Sequence, residues 1–467
     1  MKTKINLSKL WRDIKKSVSG NDHDFTKGNI GRAILLLSIP MVLEMVMESV
    51  FAVADIFFVS KLGADAVASV GITESLMTIV YALGIGLSTG TAALISRRIG
   101  EKKPEEAASV AANSIIIALI ISSVISITGL FFSDKLLILM GASEGVIEIG
   151  GDFTKIMLST NFVITLLFVI NAVFRNAGDA AISMRVLWIA NIINIVLDPL
   201  LIFGYGPFPE LGVKGAAVAT SIGRGFAVIY QLYLLFKGEN RIKIHWYNFK
   251  IKTELLLKII KLSLGGIFQN LIATSSWIFL VSIIASFGSV VVAGYTIALR
   301  ILLFAILPSW GMSNAASTLT GQNLGANQPL RAEKSVWITA FVNMAFLSLV
   351  AIVLISFSRN FVTFFIDDID VIANGSNGLK YISFSLFAYS IGMVMVQALN
   401  GSGKTQIPTL INLFCFWIVE IPLAYFLATK TGLEEKGVYI AIITGDLLLT
   451  LIGIFIFRRG KWKLSKV

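Results

Sequence analysis

The sequence predicts an all-α membrane protein with twelve transmembrane helices, arranged as two six-helix lobes related by a parallel internal repeat. Three observations predict it. First, 56% of the 467 residues are hydrophobic and only 14% are charged, with mean hydropathy +0.81; a soluble domain carries about 25% charged residues. Second, Gly, Pro and charge divide the chain into twelve apolar runs that reach the ~20 residues a bilayer demands. Third, a shift of 225 residues superimposes landmarks without a gap. Ser38 meets Ser263, Gly63 meets Gly288, Gly86 meets Gly311, Gly100 meets Gly325, Pro104 meets Pro329, Gly178 meets Gly403, and Gly212–Val213 meets Gly437–Val438. Six spans per repeat make both halves start on the same side, which is the parallel form of transporter repeat.

In chain order, residues 1–30 form a polar, basic tail, expected to be cytoplasmic and not a cleaved leader. Leu7, Leu10, Trp11, Ile14 and Val18 follow helical spacing with Lys9, Arg12, Lys15 and Lys16 between them. That pattern reads as an amphipathic helix on the membrane surface, or as a solvated tail. The N-lobe, 31–236, holds spans at 32–60, 67–96, 107–132, 147–174, 181–204 and 213–236. A basic linker, 237–253, joins it to the C-lobe, 254–458, with spans at 254–286, 292–320, 333–357, 372–399, 407–429 and 438–457. Residues 459–467 are a second basic tail. Basic clusters (Arg97/Arg98/Lys102/Lys103, Arg175/Arg185, the linker, Arg331/Lys334, Lys404 and the tails) all fall on one side, and acids such as Asp134, Glu144, Asp367 and Glu434 on the other. Positive residues stay inside, so both termini are expected in the cytoplasm, with the chain in the plasma (inner) membrane. The same bias accounts for the net charge of +11 without a nucleic-acid partner.

Several function classes drop out. The single cysteine, Cys415, permits no intrachain disulfide, and the only histidines, His23 and His245, lie in polar segments. No catalytic constellation appears, so no enzyme and no cofactor are expected. GSGKT at 401–405 lacks the leading glycine of a phosphate loop, since Ala398 stands there, and reads as a turn.

The informative residues are acids inside apolar runs, which cost several kcal/mol and are kept for a purpose (roughly 2.5–3.5 kcal/mol at the bilayer centre). Glu44, Glu48 and Asp55 share one face of the first span, and Pro40 sits inside that span as a hinge candidate. Asn191, Asn194 and Asp198 share a face of the fifth span, with Asn171 in the fourth and Thr220 in the sixth. Carboxylate, amide and hydroxyl oxygens suit a hard cation or a proton; the alternative is that the Asn residues are interhelical glue. The repeat puts Leu280 opposite Asp55 and Leu423 opposite Asp198, so an ion site would belong to one lobe. Glu44 and Glu48 either attract a cationic substrate or are neutralised, one protonated and one paired with a base such as Arg32 or Arg224. Glu74 in span two and Arg300 in span eight lie at similar depth. They are a candidate gate pair, with Glu74 also a candidate for the substrate cavity. Glu420 and Asp446, in spans eleven and twelve, are structural or substrate-facing.

The ordered motifs P-x14-D in span one, LGADAVASVG, GTAALISRRIGEKKPEEA, FRNAGDA, NIVLDPLLIFG followed by GVKGAAVAT, and QNLGANQPLRA resemble the multidrug and toxic compound extrusion (MATE) family over about residues 30–458. The resemblance implies a two-lobed antiporter that exports amphipathic, mostly cationic compounds against inward Na⁺ or H⁺. In the DinF-like branch, which the chain resembles more than the NorM-like one, it implies an ion-coupling cluster at Asp55, Asn171, Asn194, Asp198 and Thr220, the ligands if the ion is Na⁺, with Pro40 as the bend. Spans seven and ten carry none of the acids that form a second site in the NorM-like branch. The partners expected are amphipathic cations and the lipid bilayer, and the protein is expected to be monomeric. The alternative is a lipid-linked saccharide flippase of related architecture, which would need a basic cavity.

Overall fold

The computed structural model describes residues 7–20, 23–238 and 240–465. Helix α1 (Leu7–Ser19) precedes the spans and is tied to them by the Asp13–Arg32 ion pair at 2.7 Å. The side chains of Leu7, Lys9 and Leu10, and Lys466 in the last tail, lie outside the described residues. The N-lobe comprises α2 (Ile30–Ser60), α3 (Ala64–Gly100), α4 (Pro104–Leu139), α5 (Glu144–Ser159), α6 (Asn161–Ala177), α7 (Ala180–Ile202) and α8 (Val213–Lys237). The C-lobe comprises α9 (Thr253–Ala285), α10 (Ser289–Gly325), α11 (Pro329–Ser356), the short α12 (Ser358–Thr363), α13 (Ile369–Ser383), α14 (Leu386–Gly401), α15 (Gln406–Asn412), α16 (Ile421–Lys430) and α17 (Glu435–Arg458). Among the described residues, ten helices are long and apolar enough to cross a membrane; counting each bent pair, α5–α6 and α13–α14, as one span gives twelve.

The repeat is written into the backbone. Helices α3 and α10 begin and end 225 positions apart, after Gly63 and Gly288 with φ of +102° and +101°. Lys102 and Asn327, one repeat apart, both take the left-handed region at φ +58° and +57° and launch α4 and α11 at Pro104 and Pro329. Each proline is at the first helical position, where its missing N–H costs nothing. The fourth and tenth spans bend by 42° and 53° at equivalent points, Thr160 and Ser385. The eleventh span has no such counterpart: between α15 and α16 it widens into a π-helical segment, Leu413–Glu420. The GSGKT stretch is the turn after α14, with Gly403 at φ +83°.

The lobes meet at the end that carries the basic loops. Glycines let the backbones touch there. A Cβ on Gly86 would overlap Ile267, on Gly100 the Gln322 main chain, on Gly311 Met41, on Gly321 Ser96, and on Gly325 the Arg97 carbonyl. Asn176 of α6 fastens this seam, accepting from the Thr318 hydroxyl at 3.0 Å and, through its main chain, from the Gln322 amide at 2.9 Å. Towards the other end, Glu74 on α3 and Arg300 on α10 are exposed.

Both tails strap the closed end. Arg331 at the start of α11 donates to the carbonyls of Phe25, Lys27 and Gly28, while Arg241 of the linker donates to those of His23 and Ala177. At the other terminus, Trp462 is buried against Phe457, and Arg97 of α3 donates to the Ser465 carbonyl. Arg331→Ala frees three carbonyls of the first strap. Limited trypsinolysis is expected to cut faster at Lys27 and Arg32 in that variant than in the wild type.

Candidate functional site: acids of the N-lobe

The polar groups of the N-lobe form layers along the membrane normal. The outermost lies four to eight residues from the non-basic ends of α2, α7 and α8. Here Asp198 is fully buried, and its Oδ1 accepts from the Asn194 amide at 3.3 Å. The same amide donates to Thr220 Oγ at 3.0 Å. That arrangement fixes the Asn194 amide with its oxygen turned away. As a result Asp198 Oδ2 and Asn194 Oδ1 are both buried without a donor. Asp55 on α2 is half-buried and lies within electrostatic reach of Asp198, Glu74 and Arg224. Unsatisfied buried oxygens beside two carboxylates are what a small cation or a proton would satisfy. Among the described residues no three of His, Cys, Asp and Glu converge as a metal site, so amide and hydroxyl oxygens would complete any coordination.

The repeat-related positions in the C-lobe are apolar: Leu280 is in a hydrophobic core and Leu423 packs against it. The two lobes have therefore diverged in side chain at these positions, and around Leu423 in backbone as well.

Asn171 does not join this layer. Its Oδ1 accepts from Gln231 at 2.6 Å and its carbonyl from Ser183 at 3.2 Å. Ser183 precedes Asn194 on α7 by eleven residues, and Gln231 follows Thr220 on α8 by eleven. At 1.5 Å per residue, both helices put Asn171 about 16 Å nearer the basic end. The resemblance had grouped Asn171 with the ion cluster. In this conformation its amide oxygen is already occupied, and it joins α6 to α8.

The middle layer belongs to Glu48. Its Oε1 pairs with Arg224 Nη2 at 3.3 Å and its Oε2 accepts from the Asn191 amide at 3.1 Å. The Arg224 guanidinium also covers the Phe51 ring at 5.2 Å. Glu44, 1% exposed, forms the innermost layer and pairs with Arg175 at 2.9 Å. Sequence reasoning named Arg224 as a partner and it is one; it named Arg32, which pairs with Asp13 instead. Arg175 was missed because it reads as a loop charge. It stands in the last turn of α6, within a side chain's length of the membrane interior.

Of the three acids read as cavity carboxylates, only Glu74 is exposed and makes no ion pair among the described residues. No ion pair joins it to Arg300 in this conformation. Pro40 lies within an uninterrupted α2, one residue before the Met41 backbone against which Gly311 packs. The hinge candidate thus sits at the seam between the lobes. In the C-lobe, Glu420 closes the π-helical segment, is 3% exposed, and lies against Gly445; the neighbouring Asp446 accepts from Ser385 at 2.6 Å.

Known proteins share this whole plan. A Bacillus subtilis (strain 168) protein called probable multidrug resistance protein YoeA is 25% identical over 95% of this chain and 96% of its own length. Probable multidrug resistance protein NorM of Thermotoga maritima is 27% identical over 93% of each. A solved multidrug resistance MATE family transporter of the MOP superfamily, in an outward-facing conformation, superimposes with TM-score 0.89 over 95% of this chain and 98% of that one, at 28% identity. The sequence profile of the MatE family matches residues 40–200 and 266–426, one stretch in each lobe. The chain belongs to the MatE family, the multidrug and toxic compound extrusion transporters.

Proposed function

We propose that the protein is an antiporter that exports amphipathic cationic compounds, drugs among them, in exchange for Na⁺ or H⁺. The observation that carries this reading is the pair of donorless buried oxygens on Asn194 and Asp198, beside Asp55 in the N-lobe. Drug export is supported by the names its relatives bear, probable multidrug resistance proteins. The excess of Lys and Arg at the basic end supports a cytoplasmic position for that end and for both tails, with the chain in the plasma membrane. The conformation with lobes joined at that end is then the outward-facing one, and a monomer contains the whole route.

The coupling is a two-state exchange. A drug held by Glu74 and an ion held by Asp55, Asn194, Asp198 and Thr220 favour different arrangements of α2, α7 and α8, with Pro40 absorbing the bend. Each ligand then shifts the equilibrium by its differential affinity for the two states. Glu74 and Arg300 approach one another when the outer end closes. The abundance of acids argues against a flippase for lipid-linked saccharides, whose pyrophosphate calls for a basic cavity.

The test is efflux of a fluorescent lipophilic cation from proteoliposomes under an imposed Na⁺ or pH gradient. Gradient-driven transport in one arm supports the reading, and equal leak with and without either gradient refutes it. Glu74→Gln is expected to raise the apparent KM for a monocation about ten-fold, the loss of one charge-assisted contact. Glu44→Gln leaves Arg175 with no carboxylate partner and is expected to lower the melting temperature instead.

A further inference from the structure

Arg224 is at the middle of α8, eleven residues after Val213 and thirteen before Lys237, where a charge is expensive. Only 8% of the residue is exposed, its Nε is buried without an acceptor, and its Nη2 reaches Glu48 at 3.3 Å. Glu74 and Asp55 also lie within its electrostatic reach. The guanidinium covers the face of Phe51, the kind of surface an aromatic cation binds. A residue kept only for packing would not need a charge here. A charge kept only to neutralise Glu48 would be cheaper to remove together with it, since a buried ion pair can be replaced by apolar groups at little or no cost.

The charge inventory gives Arg224 a role. Glu48 and Asp55 are half-buried and Glu74 is exposed, while Asp198 is fully buried. Arg224 and Asn191 occupy Glu48, which leaves Glu74 as the exposed, unpaired acid for a substrate. A substrate with one positive charge satisfies that acid. A second positive charge on the same substrate finds Glu48 taken and the guanidinium repelling it.

We propose that Arg224 is a specificity-determining residue: a resident cation that occupies Glu48 and confines the N-lobe cavity to substrates bearing a single positive charge. This rests on the cation-export reading above. It differs from a structural role in acting on the charge preference of the site rather than on its integrity.

The experiment measures binding of tetraphenylphosphonium, a monocation, and dequalinium, a dication, to the full-length protein in nanodiscs at constant pH and salt. The wild type is expected to favour the monocation. Arg224→Gln is expected to shift the ratio of the two Kd values towards the dication by about ten-fold. Glu48 remains 32% exposed and keeps Asn191 as a donor, so it stays available as a carboxylate. Arg224→Lys, which keeps the charge, is expected to hold the wild-type ratio. Arg224→Gln combined with Glu48→Gln, which removes both charges, is expected to restore it. If Arg224→Gln weakens both ligands in parallel with the ratio unchanged, the residue is structural and the proposal is overturned. If the wild type binds neither cation, the cation-export reading fails and takes this proposal with it.

Discussion

Asp198→Asn is expected to reduce gradient-driven export about a hundred-fold while leaving the protein as stable as the wild type or more so. Asp198 is fully buried, has a single amide donor at 3.3 Å, and keeps Oδ2 unpaired. Losing a charge from an ion site costs roughly 3 kcal/mol, which corresponds to about two orders of magnitude in affinity. The same substitution removes a buried carboxyl group whose Oδ2 has no partner, so folding does not suffer. Initial efflux rates in proteoliposomes and a melting curve on the same preparation read the two effects. A large parallel drop in stability would mean that Asp198 serves the fold and not the ion.

The second large effect is at the seam between the lobes. In Gly100→Val the added side chain would overlap the main chain of Gln322, which cannot rotate away. The lobes are then unable to close at the basic end, and the conformation with the lobes joined there is depleted. Spin labels at Lys103 and Gln328, one repeat apart on the two lobes and placed in a Cys415→Ser background, are expected to report a longer distance. Export is expected to fall more than about ten-fold. Gly71→Val is the control: it is also on α3, but nothing stands within 4 Å of its Cβ. An unchanged distance distribution in Gly100→Val would show that this contact does not gate the cavity.

Much of the fold was legible because its signals are local or periodic. Apolar runs marked the spans, and the Gly63/Gly288 and Pro104/Pro329 coincidences marked the repeat to the residue. The breaks at Thr160 and Ser385 fall at short polar interruptions, Ser159–Asn161 and Ser383/Ser385, that look like ordinary membrane-helix serines and threonines. The π-helical segment before Ile421 lies in the apolar stretch Leu413–Val419 and left no mark. The site was legible by face and not by depth. Helical periodicity put Asn194 and Asp198 on one side of α7, where the Asn194 amide reaches Asp198. It says nothing of how far α6 slides against α7, and so Asn171 was grouped with residues about 16 Å away. Likewise Glu44 and Glu48 were seen as charges needing partners, but Arg175 and Asn191 became visible as those partners only when α2, α6 and α7 were packed together.

Competition between drug and ion through the N-lobe acids is the core of the proposed exchange. Its most direct test is the affinity of the full-length protein in nanodiscs for tetraphenylphosphonium, titrated against Na⁺ at fixed pH and against pH without Na⁺. Wild-type affinity is expected to fall about ten-fold as one of the two ions saturates, and Asp55→Asn is expected to be insensitive to that ion. A wild type indifferent to both ions, or an Asp55→Asn variant with the full wild-type response, would contradict it.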